Sequence, residues 1–170
     1  MERISKHFDK IDHKVSKREF VTHTGWYKGK HITALSTGIG CDNVDIVINE
    51  LDALVNIDFE TRLPKADHTA LNIIRLGTSG ALQEEIPVDS FVASTHGVGF
   101  DGLMGFYETQ FEAEEKALNA AFIEQVNWPS ACNPPYIVKA SNHLLERIGE
   151  GMIQGMTATA NGFYGPQGRS

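Results

Sequence analysis

The stretch His31-Ile32-Thr33-Ala34-Leu35-Ser36-Thr37-Gly38-Ile39-Gly40-Cys41-Asp42-Asn43-Val44-Asp45-Ile46-Val47-Ile48 joins two kinds of periodicity. β-branched residues alternate with smaller ones up to Ser36, and Gly38 and Gly40 then interrupt the run. From Asp42 a different period takes over. Val44, Val47, Ile48, Leu51, Leu54 and Val55 recur at i, i+3, i+4 and i+7, which predicts a helix with Asp42 or Asn43 available as its cap. A strand that empties through a glycine turn into an amphipathic helix is the repeating unit of α/β sheets.

The neighbouring segments extend this alternation. Upstream, Phe20 to Tyr27 reads as a strand, Lys28-Gly29-Lys30 as a turn and His31 to Ser36 as the returning strand of a hairpin. Ile4, Phe8 and Ile11 have helix spacing, and a polar link follows. Downstream, a polar link from Glu60 to His68 precedes the apolar run Leu71 to Leu76, expected as a buried strand that ends at Gly77-Thr78-Ser79-Gly80. Val88 to Thr95 is expected as another strand, and Gly97 to Gly105, with four glycines, as an irregular loop. Glu112 to Val126 has helix composition, Tyr136 to Lys139 suits a short strand, Ser141 caps a helix to Ile148, and Ile153 to Ala160 returns to strand-type residues. An α/β fold follows, and 170 residues suit a single domain spanning 1–170.

Composition narrows the partners. Lys and Arg number 15 against 22 Asp and Glu, a net charge of −7 with no basic block, which argues against nucleic acid or an anionic membrane. Cys41 and Cys132 lie far apart with no metal spacing, so neither a disulfide framework nor a zinc site is expected, and a cytoplasmic setting fits. Charged residues interrupt every apolar stretch well short of the roughly 18 residues needed to cross a bilayer.

Several stretches invite chemistry, and each also has a plainer reading. Gly38-Ile39-Gly40 opens like a dinucleotide fingerprint, but Asn43 stands where the third glycine belongs, which favours a plain strand-to-helix turn. Gly77-Thr78-Ser79-Gly80 is no nucleophile elbow, because Ala81 occupies the position of the closing glycine. Arg75, followed by glycines and two hydroxyls, describes an oxyanion or phosphate cradle, and an arginine salt-bridged at the sheet end fits the same residues equally well. Arg18 by itself reads as a solvated charge. Gln167-Gly168-Arg169, after Phe163-Tyr164, can hydrogen-bond the edge of a planar heterocycle while Phe163 packs on it, or can be an ordinary polar loop. The seven histidines are scattered, without metal spacing, and Glu112, Glu114 and Glu115 read as the wet face of a helix.

Taken together, Ser36-Thr37-Gly38-Ile39-Gly40, Arg75-Leu76-Gly77-Thr78-Ser79-Gly80, Phe100-Asp101-Gly102 and Phe163-Tyr164-Gly165-Pro166-Gln167-Gly168-Arg169 are similar to the nucleoside phosphorylase family. The resemblance runs along the whole chain in order, and the Gln-x-Arg ending resembles the pyrimidine branch, since purine-cleaving members usually place an acidic residue in their late active-site segments. It implies a mixed central β-sheet flanked by helices in three layers. It further implies that Arg75 and Thr78 bind phosphate, that Arg18 reaches the phosphate of a neighbouring subunit, and that Phe163 packs on the base. Gln167 and Arg169 would hold the uracil carbonyl and ring N–H and stabilise the charge on the departing base. Glu19, Ile39 and Asn43 fall where some members bind a monovalent cation, although Asn43 departs from the usual serine.

The implied reaction is reversible phosphorolysis of uridine to uracil and ribose 1-phosphate, in pyrimidine salvage, with phosphate as co-substrate and no metal or organic cofactor. A homo-oligomer, either a dimer or a trimer of dimers, is implied by the shared site. Two family stretches are not found in the sequence: the opening Gly-Asp-Pro-x-x-Arg loop and the Glu-Met-Glu segment that holds ribose. The resemblance places them before Met1 and after Ser170, so the chain is expected to be the middle of a longer protein, nearly inactive as it stands, with strand edges and apolar faces exposed. The alternatives are a purine nucleoside phosphorylase or a nucleosidase of the same fold, and an inactive truncated homologue acting as a binding or interface module.

Overall fold

After one helical turn, α1 (Glu2–Ser5), the chain pairs where a polar link was expected: β1 (Lys10–Lys17) lies antiparallel to β2 (Phe20–Tyr27), which turns back into β3 (Lys30–Ser36). The computed structural model describes residues 1–168, in two compact units, one Met1–Leu71 and the other from Asn72 onward. In the first unit the predicted hairpin forms, with Lys28 and Gly29 at φ 47° and 74° as its two-residue turn. Two left-handed residues give the twist that matches the flanking strands. β1 escaped the sequence reading because its apolar pattern is weak. Its strand conformation comes from the partner, through a ladder running from Lys10 opposite Trp26 to Lys17 opposite Phe20, with a bulge between Ile11 and His13. At that bulge the backbones close up, and a Cβ on Gly25 would strike the Lys10 carbonyl and the Phe8 ring. Lysines along β1, an edge strand, discourage pairing with other chains.

α2 (Cys41–Asn56) forms on the predicted stripe. Its N-cap is Gly40, at φ 108°, and neither Asp42 nor Asn43 caps it; Asp42 lies in the first turn, where its charge complements the helix dipole. At the other end Asn56 is buried. Its amide donates to the Thr69 carbonyl at 3.1 Å and accepts from the Thr69 N–H at 2.7 Å, closing the neck of an excursion that contains the two-residue strands β4 (Ile57–Asp58) and β5 (Leu63–Pro64).

The second unit corrects the sequence reading at its start. Leu71 to Leu76, expected as a buried strand, has no regular structure, and its apolar side chains are exposed, Leu76 by 79%. An apolar run becomes a strand only when another strand offers its N–H and C=O groups, and among the described residues none pairs here. β6 (Val92–Gly99) begins four residues later than expected and absorbs Gly97 and Gly99. It is central, antiparallel to β7 (Tyr136–Lys139) and parallel to β8 (Ile153–Thr159), so pairing on both sides overrides the weak strand preference of glycine. This mixed sheet, with α3 (Ala113–Val126) and α4 (Asn142–Ile148), bears out the α/β class. α3 lies on β7. Ala93, Val98 and Ile137 are buried, and Phe100, Phe122 and Trp128 form a ring cluster with centroids 5.2 to 6.0 Å apart.

Candidate active site

Arg75 and Thr78 lie together on the exposed stretch after Leu71. The Arg75 side chain folds back over Gly77, where a Cβ would stand 3.0 Å from Nη1 and 3.4 Å from Cζ. Among the described residues no carboxylate forms a salt bridge with this guanidinium. A cation held beside bare backbone, with the Thr78 and Ser79 hydroxyls next in sequence, has the donors an oxyanion needs.

A second group of predicted residues sits on the loop after β8. Phe163 and Tyr164 meet edge to face at 5.8 Å, and both are largely exposed. A 3-10 turn, Gly165–Gln167, brings Gln167 back so that its Nε2 donates to the Gly162 carbonyl at 3.1 Å. Gly168 follows at φ 67°, a left-handed position suited to glycine. Arg169 lies outside the described residues.

Arg18 belongs to the first unit, at the two-residue turn between β1 and β2, where it is exposed at φ 53°. The left-handed φ belongs to the tight turn, and Arg18 is exposed at this hairpin tip. In the same unit Gly38 packs against Glu19 and Asn43: a Cβ there would lie 2.8 Å from Asn43 Nδ2 and 3.3 Å from Glu19 Cγ. Asn43 Nδ2 donates to the Ile39 carbonyl at 3.4 Å.

Two carboxylates hold contacts that were not read from the sequence, and one histidine is buried. Glu115, assigned to a wet helix face, is buried at 7% exposure: Oε1 accepts from the Lys139 N–H and Oε2 from the Glu112 N–H, both at 2.7 Å. The Lys139 amide first, and then the Glu112 amide, hold its carboxyl below the ordinary range. The Glu112/Glu115 capping box was a legible signal, but the strand amide that buries the carboxylate lies 24 residues away. Asp101 accepts from the Leu103 N–H at 2.7 Å and the Tyr136 hydroxyl at 2.9 Å, which anchors the loop after β6. His23, 3% exposed, is paired with the buried Ser5 hydroxyl at 2.7 Å, a satisfied packing histidine. No cluster of three metal-ligating side chains occurs among the described residues.

The Phosphorylase superfamily matches residues 1–169, and the chain belongs to that family. It is 28% identical over 167 residues to a uridine phosphorylase of Thermococcus kodakarensis, covering 98% of this chain and 49% of the relative. It is 36% identical over 75 residues to a purine nucleoside phosphorylase of the DeoD type from Clostridium perfringens, covering 44% of this chain and 26% of the relative. The crystal structure of a Trypanosoma brucei nucleoside phosphorylase with uridine phosphorylase activity superposes with a TM-score of 0.84 at 30% identity, covering 99% of this chain and 62% of the other. The chain thus spans half or less of the length of these two sequence relatives. No helix of the described residues is long and apolar enough to cross a membrane.

Proposed function

We propose that this chain carries the phosphate and base sites of a uridine phosphorylase, within one phosphorylase domain to which both compact units belong. The observation that carries the reading is the Gly162–Gly168 loop, which presents an aromatic ring and a fixed carboxamide together, as a planar pyrimidine requires. Two matches along almost the full chain are a uridine phosphorylase and a nucleoside phosphorylase with uridine phosphorylase activity, which supports the pyrimidine, while shorter matches to uridine and purine enzymes cover nearly equal shares, 59% and 58%.

In this reading Arg75 and Thr78 orient phosphate as the nucleophile. As the glycosidic bond breaks, the ribosyl carbon becomes cationic and negative charge gathers on uracil. Arg169 stabilises that charge by donating to a uracil carbonyl, Gln167 orients the base through its ring N–H, and Phe163 holds the ring plane. The Arg18 hairpin tip serves the phosphate of a second copy, so the working form is a homo-oligomer. No covalent intermediate, metal or organic cofactor enters the reaction. Cys41 and Cys132 form no disulfide among the described residues, which suits a cytoplasmic setting.

Calorimetric titration of the chain with uracil, adenine and phosphate tests the proposal, together with turnover of uridine and inosine with and without phosphate. Uracil binding that strengthens with phosphate is expected. Preference for adenine and inosine would reassign the chain to the purine branch, and binding of neither base nor phosphate would leave an interface module.

A further inference from the structure

The loop that carries Gln167 is closed on itself at Gly162. The Gly162 carbonyl can only accept, so the Gln167 amide must turn its nitrogen toward it, at 3.1 Å, and direct Oε1 away. Between the two residues the chain passes through Pro166, whose ring lies against the bare α-carbon of Gly162. A Cβ there would stand 2.6 Å from Pro166 Cγ and 2.9 Å from Cδ, closer than carbon atoms can pack. Gly162 is not among the glycines at positive φ, so its backbone conformation is open to any residue. Glycine is therefore required at 162 for the proline ring and not for the turn. The proline in turn fixes its own φ, which keeps the return path to Gln167 short and stiff.

We infer that Gly162 and Pro166 act together as positioning residues for Gln167. Proline seated on glycine holds the loop at the closure where the Gly162 carbonyl locks the amide, and Oε1 is presented as a ready acceptor to a heterocycle that offers a ring N–H. The inference rests on the proposed uridine reading, because uracil offers an N–H between two carbonyls. An amide locked before the ligand arrives loses less rotamer freedom on binding than a free one.

The test uses Gly162→Ala, Pro166→Ala and the double variant in the 170-residue chain, titrated calorimetrically with uracil and with inorganic phosphate, while nuclear magnetic resonance follows the Gln167 side-chain amide. Gly162→Ala should weaken uracil about tenfold, the scale of one well-placed hydrogen bond, and leave phosphate affinity unchanged. Pro166→Ala alone loses the stiffness but keeps the closure and should weaken uracil less than Gly162→Ala does; added to Gly162→Ala it removes Cγ and Cδ, leaving Cβ at 3.4 Å, and should bring uracil affinity and the Gln167 resonances back to those of Pro166→Ala. A general loss of structure would weaken both ligands and resist rescue. Uracil bound as tightly by Gly162→Ala as by the unsubstituted chain, equal loss of phosphate affinity, or failure of the double variant to recover each overturns the inference. Failure of the unsubstituted chain to bind uracil overturns the uridine reading, and the base-positioning role with it. The Gln167 resonances then still report the lock, which falls if Gly162→Ala leaves them unmoved.

Discussion

Replacing Glu115 by alanine should unfold the second unit far more readily than replacing its neighbour Glu114. The Glu115 carboxylate accepts two backbone N–H groups at 2.7 Å, one at the start of α3 and one on β7, and so ties helix to strand. Hydrogen bonds to a charged group contribute about 1.5 to 3 kcal/mol each, and their loss here strands two amides, so a destabilisation of about 3 kcal/mol is expected. With a urea dependence of about 2 kcal/mol per molar, the midpoint should fall by about 1.5 M. Glu114 makes only an exposed ion pair with Lys139, at 2.8 Å, and its removal should be close to neutral. Trp128 is the natural reporter, since it packs on Phe122 of α3 and, after Trp26→Phe, is the one tryptophan left of two. Equal midpoint shifts for Glu115→Ala and Glu114→Ala would refute the reasoning. The same carboxylate gives a pH signature. Its pKa is lowered on folding from an ordinary 4.5, so its stabilisation is complete above that value and is lost as the pH falls through the lower folded pKa. Glu115→Gln keeps one acceptor, and should remove this part of the acid sensitivity as well as lowering the midpoint less than alanine does.

Other substitutions probe different contacts. Gly99→Ala would place a Cβ inside the Tyr136 ring and should cost about 1 to 3 kcal/mol, with the Tyr136 hydroxyl freed from Asp101 and its near-ultraviolet signal changed. Ser5→Ala leaves the buried His23 Nδ1 without its partner and should destabilise the first unit by about 1 to 3 kcal/mol, measured by thermal unfolding followed at Trp26. Leu76→Lys, on an exposed apolar run, should leave the unfolding midpoint in place and reduce self-association in light scattering; a lower midpoint would mean that Leu76 is packed in solution.

The site was legible to different depths. Arg75, Thr78, Phe163 and Gln167 were legible as members of short motifs, but residue type and spacing left plainer readings open and the family resemblance nominated them. The closure of Gln167 onto Gly162 was not, because nothing in Gly-Phe-Tyr-Gly-Pro-Gln states that the proline ring will rest on the first glycine. Arg18 illustrates the opposite limit: its sequence setting reads as plain surface charge, its left-handed φ is shared with Lys28, Arg62, Asp89 and Asn127, and only the family resemblance singles it out.

By itself the sequence determined the elements whose causes are local. The stripe of α2, the Lys28-Gly29 turn, the Ser141 cap and the strand composition of β7 and β8 each act within a few residues, where hydrogen bonds and side-chain spacing are set by the neighbours along the chain. Only tertiary structure could make β1 a strand, carry Gly97 and Gly99 into β6, leave Leu71 to Leu76 unpaired and bury Glu115. In each of these the partner for a backbone amide or a carboxylate comes from another segment, or does not come at all, and periodicity holds no information about which segment that is.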